Sequence, residues 1–190
     1  MEDLAQHILD LAVNSLEAQA NSIEINIAED TAGNIMELSI RDNGRGIKNS
    51  ALPKVMDPFY TTKKRKHVGL GVPLLDEAVQ RCGGTLEIKA LPQRGTMVRA
   101  TFPRDHLDRA PLGNIAGTLI SLLTGRDDLH LKYTHRYNGV IFAMDTAEIK
   151  TALGIDSLQA PAILLLLEEY LNNKITELRR KTGEKFERVG

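Results

Sequence analysis

Asp42-Asn43-Gly44-Arg45-Gly46-Ile47 is the stretch on which this sequence turns. It follows an alternating run, Ile35 to Arg41, whose apolar members Met36, Leu38 and Ile40 mark a half-buried strand. A carboxylate, an amide and two glycines therefore arrive together at a strand end. Gly44 and Gly46 have no Cβ, so the backbone there can turn with φ > 0 and a planar ligand can come close. Asp42 offers an acceptor that an exocyclic amine can use. Alone, the stretch is ordinary turn chemistry. Its neighbours on both sides argue for more.

Upstream, residues 3–20 have the spacing of a helix. Asp3, Gln6, His7, Asp10, Asn14, Glu17 and Asn21 fall within an arc of roughly 100°. Leu4, Ile8, Leu9, Leu11, Val13 and Leu16 fill most of the remainder, so the helix is apolar around more than half its girth. Such a stripe is either a solvated face or the wall of a pocket. Asp10 and Asn14 are spaced i,i+4 and are neighbours. One can polarise a water while the other's amide oxygen meets a hard cation such as Mg²⁺. Ile23, Ile25 and Ile27 then alternate as a strand, and Thr31-Ala32-Gly33-Asn34 supplies the turn into the next.

Downstream, Met56-Asp57-Pro58-Phe59-Tyr60-Thr61-Thr62-Lys63 leads into Lys64-Arg65-Lys66-His67. Val68-Gly69-Leu70-Gly71 opens a helix over 72–81, with Pro73 in its first turn. Glycines and cations at a helix N-terminus favour an anion, and residues 59–71 read as a lid over a polyphosphate. The string G-x-x-x-x-G-K-[ST] does not occur, so this is not a Walker-type loop. Gly83-Gly84 ends the helix. Leu86, Ile88 and Ala90 alternate in a third strand; Val98, Ala100 and Phe102 alternate in a fourth after the turn at Gly95-Thr96. This order predicts a two-layer α/β sandwich, a mixed sheet with helices on one face.

Composition bounds the rest. The 190 residues are 42% hydrophobic and 26% charged, which suits one globular domain or two small ones. A net charge of −1 gives no electrostatic case for nucleic acid or an anionic membrane. Cys82 is the single cysteine, so no internal disulfide or multi-cysteine zinc site can form, which fits a reducing, cytoplasmic setting. The N-terminus lacks the pattern of a signal peptide. The longest apolar run, Ile163 to Leu167, is far short of the roughly 20 residues that span a bilayer.

These blocks, in this order, resemble the GHKL-type ATP-binding domain shared by histidine kinases, DNA gyrase, Hsp90 and MutL. The helix carrying Asp10 and Asn14 looks like that family's first box, and Asp42 to Ile47 looks like its D-x-G-x-G adenine box. Asp57 to Lys63 looks like the phenylalanine box, Gly69-Leu70-Gly71 like the second glycine box, and Arg94-Gly95-Thr96 like the late G-T turn. The resemblance covers residues 1–103 and implies a Bergerat-like fold that takes ATP and Mg²⁺. It implies that Asn14 holds Mg²⁺ and that Asp42 accepts a hydrogen bond from the adenine amine. Gly44 and Gly46 would admit the base, and Thr96 would sit near it through a water. Lys63, Gly69, Leu70 and Gly71 would meet the phosphates, Lys63 chief among the lid cations. Asp10 stands where hydrolytic branches carry a glutamate that activates water. Aspartate is one methylene shorter, so the expected turnover is slow.

The second half is divided off at a charged linker, 104–111. Residues 112–182 read as a small α+β domain and 183–190 as a polar tail. Its elements are a helix over 115–123, a hairpin through Asn138-Gly139, a helix over 146–153 and a helix over 161–180. Leu164, Leu167, Leu171, Ile175 and Leu178 mark one face of the last helix, for packing on the hairpin or for a homodimer or partner surface. A complete histidine kinase carries a dimerisation segment with a phosphoacceptor histidine before its ATP domain. This sequence starts 13 residues before Asn14, so the expectation is a soluble kinase that phosphorylates a partner in trans. The alternatives are an ATP-dependent protein-binding switch with slow hydrolysis and, third, a MutL-like DNA-repair ATPase.

Overall fold

The computed structural model describes residues 3–47, 71–91 and 95–180. Among these, eleven elements follow in chain order: α1 (Leu4–Glu17), β1 (Ser22–Asp30), β2 (Ile35–Asp42), α2 (Gly71–Arg81), β3 (Thr85–Leu91), β4 (Gly95–Pro103), α3 (Ile115–Leu123), β5 (His130–Tyr137), β6 (Val140–Asp145), α4 (Thr146–Leu153) and α5 (Pro161–Arg180). These six strands form one mixed sheet in the order β3-β4-β2-β1-β5-β6. Four of the five pairings are antiparallel, and β1 with β5 is parallel.

Period-two alternation places one face of the sheet under the helices. Ile23, Ile25 and Ile27 of β1, Met36, Leu38 and Ile40 of β2, and Ala100 and Phe102 of β4 are buried there. Leu4, Ile8, Leu11 and Ala12 of α1 and Leu75 and Val79 of α2 join them in one core. The other face carries Glu24, Asn26, Glu37, Ser39, Arg99 and Lys132, half-buried or exposed. This is the two-layer α/β arrangement, with α1 packed between α2 and α3.

Each strand and helix of the second half forms where the pattern put it, and the sheet runs across the division at 104–111. β5 pairs with β1 from Ser22↔His130 to Glu29↔Tyr137, so residues 112–180 extend the same sheet. The 104–111 segment is docked rather than free. Arg104 N–H donates to the Asn34 carbonyl at 3.1 Å, and Ala110 is buried. The physical reason is that β1 needs a partner on each side, and hydrophobic alternation names a strand's face without naming its neighbour.

A buried polar cluster ties the two halves together at the far end of β1. Glu29 is 3% exposed. His135 Nε2–H donates to its Oε1 at 3.0 Å and Arg179 Nη2–H at 2.9 Å, while Arg104 Nε stands 3.5 Å from Oε2. The tautomer with its proton on Nε2 leaves His135 Nδ1 to accept from the Tyr133 hydroxyl at 3.0 Å. Burial alone would raise the Glu29 pKa. The hydrogen bond from His135 and the charge of Arg179 outweigh it and hold that carboxyl down to about 2. Burial pushes the Tyr133 phenol well above its usual range.

Candidate functional site

The loop after β2 closes against the C-terminal end of α1 and the first residues of β4. Asp42 ends β2 and is buried, 7% exposed. Gly44 N–H and Thr96 N–H donate to its Oδ1 at 2.8 and 3.3 Å, and the Ser15 hydroxyl donates to Oδ2 at 2.9 Å. The Leu11 carbonyl also lies 3.2 Å from Ser15 Oγ, but the single hydroxyl proton favours the shorter, charge-assisted contact. Each carboxylate oxygen has two acceptor positions. Among the described residues both on Oδ1 are taken and one on Oδ2 is left for a ligand's donor.

The glycines here serve two different needs. A Cβ on Gly44 would lie 2.8 Å from the Ala18 carbonyl oxygen and 3.0 Å from Asp42 Oδ1. Close approach, and not a left-handed backbone, therefore requires glycine at 44; the positive φ, 71°, belongs to Gly46 alone of the two. Gly95 needs both. Its φ is 93°, and a Cβ there would come within 1.8 Å of the Asp42 carbonyl oxygen.

The other half of the site lies on the same helix. Asp10 and Asn14 are half-buried on α1, and Gln6 Nε2–H donates to Asp10 Oδ1 at 3.3 Å. Gly71, first residue of α2, sits directly on this pair: its absent Cβ would lie 3.1 Å from Asp10 Cβ and 3.3 Å from Asn14 Nδ2. The N-terminus of α2, with its orphan N–H groups and positive dipole end, thus stands beside the hard-donor pair on α1's stripe. His7, on the same stripe by spacing, is buried in the body of the protein instead. Asn21 is off the helix altogether. Gln19 adopts φ 65°, and Ala20 N–H returns to the Ser15 carbonyl at 3.0 Å, which closes α1 before it.

Of the residues singled out in the sequence, Asp10, Asn14, Asp42, Gly44, Gly46, Gly71 and Thr96 cluster at one end of α1. Lys63, Gly69 and Leu70, with the rest of the 59–70 lid and the phenylalanine box, lie outside the described residues, as does Arg94. Ser15 was missed as a site residue. It stands next to Asn14 in the sequence, and only its contact with Asp42, 27 positions away, shows what it does. Ser15→Ala is expected to weaken binding of an adenine nucleotide about threefold to tenfold, the net worth of one hydrogen bond, as read by calorimetric titration.

The donors also bear on a metal. Among the described residues no group of three His, Cys, Asp or Glu side chains is placed to hold an ion. The Asn14 amide oxygen is a hard donor, and Mg²⁺ commonly takes few protein ligands and the rest from phosphates and water. The donor set fits a metal that arrives on its nucleotide, with Asn14 as the residue to meet it. Among the described residues no helix is long and apolar enough to cross a membrane.

Comparison with known proteins bears on the family and the fold. The model of the histidine kinase-, DNA gyrase B-, and HSP90-like ATPase family matches residues 1–106. The sensor histidine kinase ZraS of Escherichia coli O157:H7 is 27% identical over 110 residues, covering 58% of this chain and 24% of that protein. Sporulation kinase D of Bacillus subtilis (strain 168) is 31% identical over 102 residues, covering 54% and 20%. The chain thus spans about a quarter or less of the length of these two relatives. Among solved structures, the N-terminal domain of a DNA repair protein superposes with a TM-score of 0.52 at 15% identity, covering 77% of this chain and 53% of that one. That likeness is one of fold. Its 77% share exceeds the 106 of 190 residues in the family match, so the shared fold reaches into the second half.

Proposed function

The chain belongs to the histidine kinase-, DNA gyrase B-, and HSP90-like ATPase family, and from that premise we propose that it binds Mg-ATP at the end of α1 and transfers the γ-phosphoryl group to a partner protein in trans. One observation carries this reading. Asp42 is buried with a single acceptor position left for a base, and the same helix that orients it places Asp10 and Asn14 against the N-terminus of α2. Base recognition and phosphate chemistry thus share one rigid element.

In this reading the adenine amine donates to Asp42 Oδ2, and the ring slides in beside Gly44. Asn14 meets the metal, and Gly71 lets the polyphosphate approach the α2 N-terminus. Mg²⁺, when bound, supplies charge neutralisation along the phosphates. Lys63 and the second glycine box would cover the γ-phosphate. Asp10 would take the proton of the attacking nucleophile as the bond from phosphorus to the β,γ-bridging oxygen breaks and ADP leaves. Phosphoryl transfer asks mainly for positioning and charge, which this set provides.

An acceptor on a partner suits the placement of the histidines among the described residues. His7 and His135 are buried, and His130 is bonded to Asp145 at 2.7 Å. His106 follows the far end of β4, about 26 Å of extended strand from Gly95. The cytoplasm is the setting in which such a kinase would meet ATP. A second reading is a binding switch with slow hydrolysis. It is favoured by the β1–β5 pairing, which makes the second half continuous with the nucleotide site. A homodimer through α5 would serve either reading.

The deciding experiment follows γ-labelled ATP with Mg²⁺, scoring free phosphate and label transferred to protein from a lysate. Label on a partner, lost in Asn14→Ala along with at least about tenfold in Mg-ATP affinity, supports the kinase. Free phosphate alone, abolished by Asp10→Ala, supports the switch. Absence of any ATP binding overturns both.

A further inference from the structure

Asn43 lies between two assigned residues, Asp42 and Gly44, and nothing so far gives it work. It is exposed, so core packing does not explain it. Yet its side chain makes three hydrogen bonds. Oδ1 accepts from the backbone N–H groups of Asn21 and Ser22 at 3.1 and 3.0 Å, and Nδ2 donates to Asn21 Oδ1 at 2.7 Å. Two backbone bonds run beside these: Asn43 N–H to the Ser22 carbonyl at 3.2 Å and Arg45 N–H to the Ala18 carbonyl at 3.0 Å. The loop that carries Gly44 is therefore fastened to the α1–β1 connection, residues 18–22, chiefly through one amide. Asn21 is also the joint to the second half, because its carbonyl accepts His130 N–H, first residue of β5, at 2.8 Å.

The chemistry of the contact is specific. An amide is the one side-chain group that can accept two N–H donors and donate back to a neighbouring carbonyl oxygen in one plane. The strand end uses those acceptors: Asn21 and Ser22 N–H lie just before and at the start of β1, ahead of its ladder with β2, which starts at Ile23↔Asp42. Holding residues 43–45 there keeps Gly44 N–H on Asp42 Oδ1 and Gly44 against Ala18, where the base must enter.

We propose that Asn43, clamped to Asn21, is a positioning residue for the nucleobase site. It acts through Asp42 and Gly44 without touching the nucleotide, and it sets affinity for the base and not the rate of phosphoryl chemistry. The inference rests on the reading that Asp42 accepts the adenine amine.

The test titrates ADP and Mg-ATP, with GTP as the base control, into the full chain and into Asn43→Ala, Asn43→Asp, Asn21→Ala and the Asn43→Ala/Asn21→Ala double variant. Thermal melts report folding. Asn43→Ala should weaken both adenine nucleotides about tenfold, the loss of up to three modest hydrogen bonds. Turnover at saturating ATP should stay within about twofold, because Asp10 and Asn14, where the chemistry is placed, are untouched. Asn43→Asp keeps the two acceptor contacts and should recover most of the affinity. The double variant should be no worse than Asn43→Ala, since both remove one clamp. A cooperative Asn43→Ala that binds like the parent overturns the proposal, as does a variant that loses kcat with KM unchanged. Should Asn43→Ala not fold, Asn21→Ala decides on a smaller scale: it removes only the Nδ2 contact, so a loss of about twofold to fivefold is expected, and affinity indistinguishable from the parent's overturns the proposal. A parent that binds GTP as tightly as ATP instead overturns the base-site reading, a result separable from failure of the clamp alone.

Discussion

Asp42→Asn is expected to lower adenine-nucleotide affinity by about 100-fold or more, the combined effect of a lost acceptor and a new donor facing a donor. The prediction follows from which oxygen the amide nitrogen replaces. At Oδ1 it would confront the N–H groups of Gly44 and Thr96, neither of which can turn away. At Oδ2 it confronts only Ser15, whose hydroxyl can swing its proton to the Leu11 carbonyl 3.2 Å off and accept instead. The variant therefore keeps oxygen at Oδ1, puts NH₂ at Oδ2, and folds. That NH₂ occupies the position from which Asp42 would accept the adenine amine. Calorimetric titration should show Mg-ATP binding gone while the melting temperature stays within a few degrees of the parent. Preference for adenine over guanine should collapse as well, because guanine presents a carbonyl oxygen where adenine presents its amine. Undiminished adenine preference in a folded Asp42→Asn would remove Asp42 from the base site.

The same pocket shows what a sequence discloses and what it withholds. Period-two alternation located β1, β2 and β4, because their buried apolar residues answer to a local rule. The i,i+4 spacing of Asp10 and Asn14 put both beside Gly71, which opens a different helix. Gly44 was legible as a necessary glycine but not for its reason, since the Ala18 carbonyl that forbids a Cβ comes from another element. Asn21 looked helical because spacing runs on past a helix end that only the positive φ of Gln19 reveals. Glutamine carries no such signal, whereas glycine would have.

Nonlocal pairing was the larger gap. β5 reads from its own residues as half of a hairpin with β6, which it is. Nothing local says that its other edge meets β1, more than 100 positions earlier, so the second half looked separable. One signal was present. Glu29 continues the alternation of Ile23, Ile25 and Ile27 onto the buried face, and His135 does the same after Leu131 and Tyr133. A carboxylate and an imidazole in core positions each require a buried partner, and each is the other's.

That pair leads to the second large effect. Glu29→Ala is expected to cost about 3–5 kcal/mol at pH 7, the usual loss when one member of a buried ionic cluster is removed and its partners are left uncompensated. The partners are His135, Arg179 and Arg104, gathered from β5, α5 and the 104–111 segment. Because all three lie outside residues 1–103, the loss should fall on the junction between the halves, with β5 amides exchanging faster than those of β2 and β4. Acid should reproduce part of this in the parent. The Glu29 pKa is about 2 when folded against an ordinary 4.5, so its contribution is complete above pH 4.5. Stability is then lost as pH falls toward 2, by up to about 3 kcal/mol, since each tenfold difference in proton affinity between the folded and unfolded chain is worth about 1.36 kcal/mol. Urea denaturation at pH 7, 4.5 and 2.5 measures both effects. The parent should lose stability steeply between the last two values, and Glu29→Gln, which has no carboxyl to protonate, should lose less. Equal pH slopes in parent and Glu29→Gln would show that Glu29 is not the group whose protonation loosens the sheet. A Glu29→Ala variant as stable as the parent at pH 7 would show that the cluster does not hold the halves together.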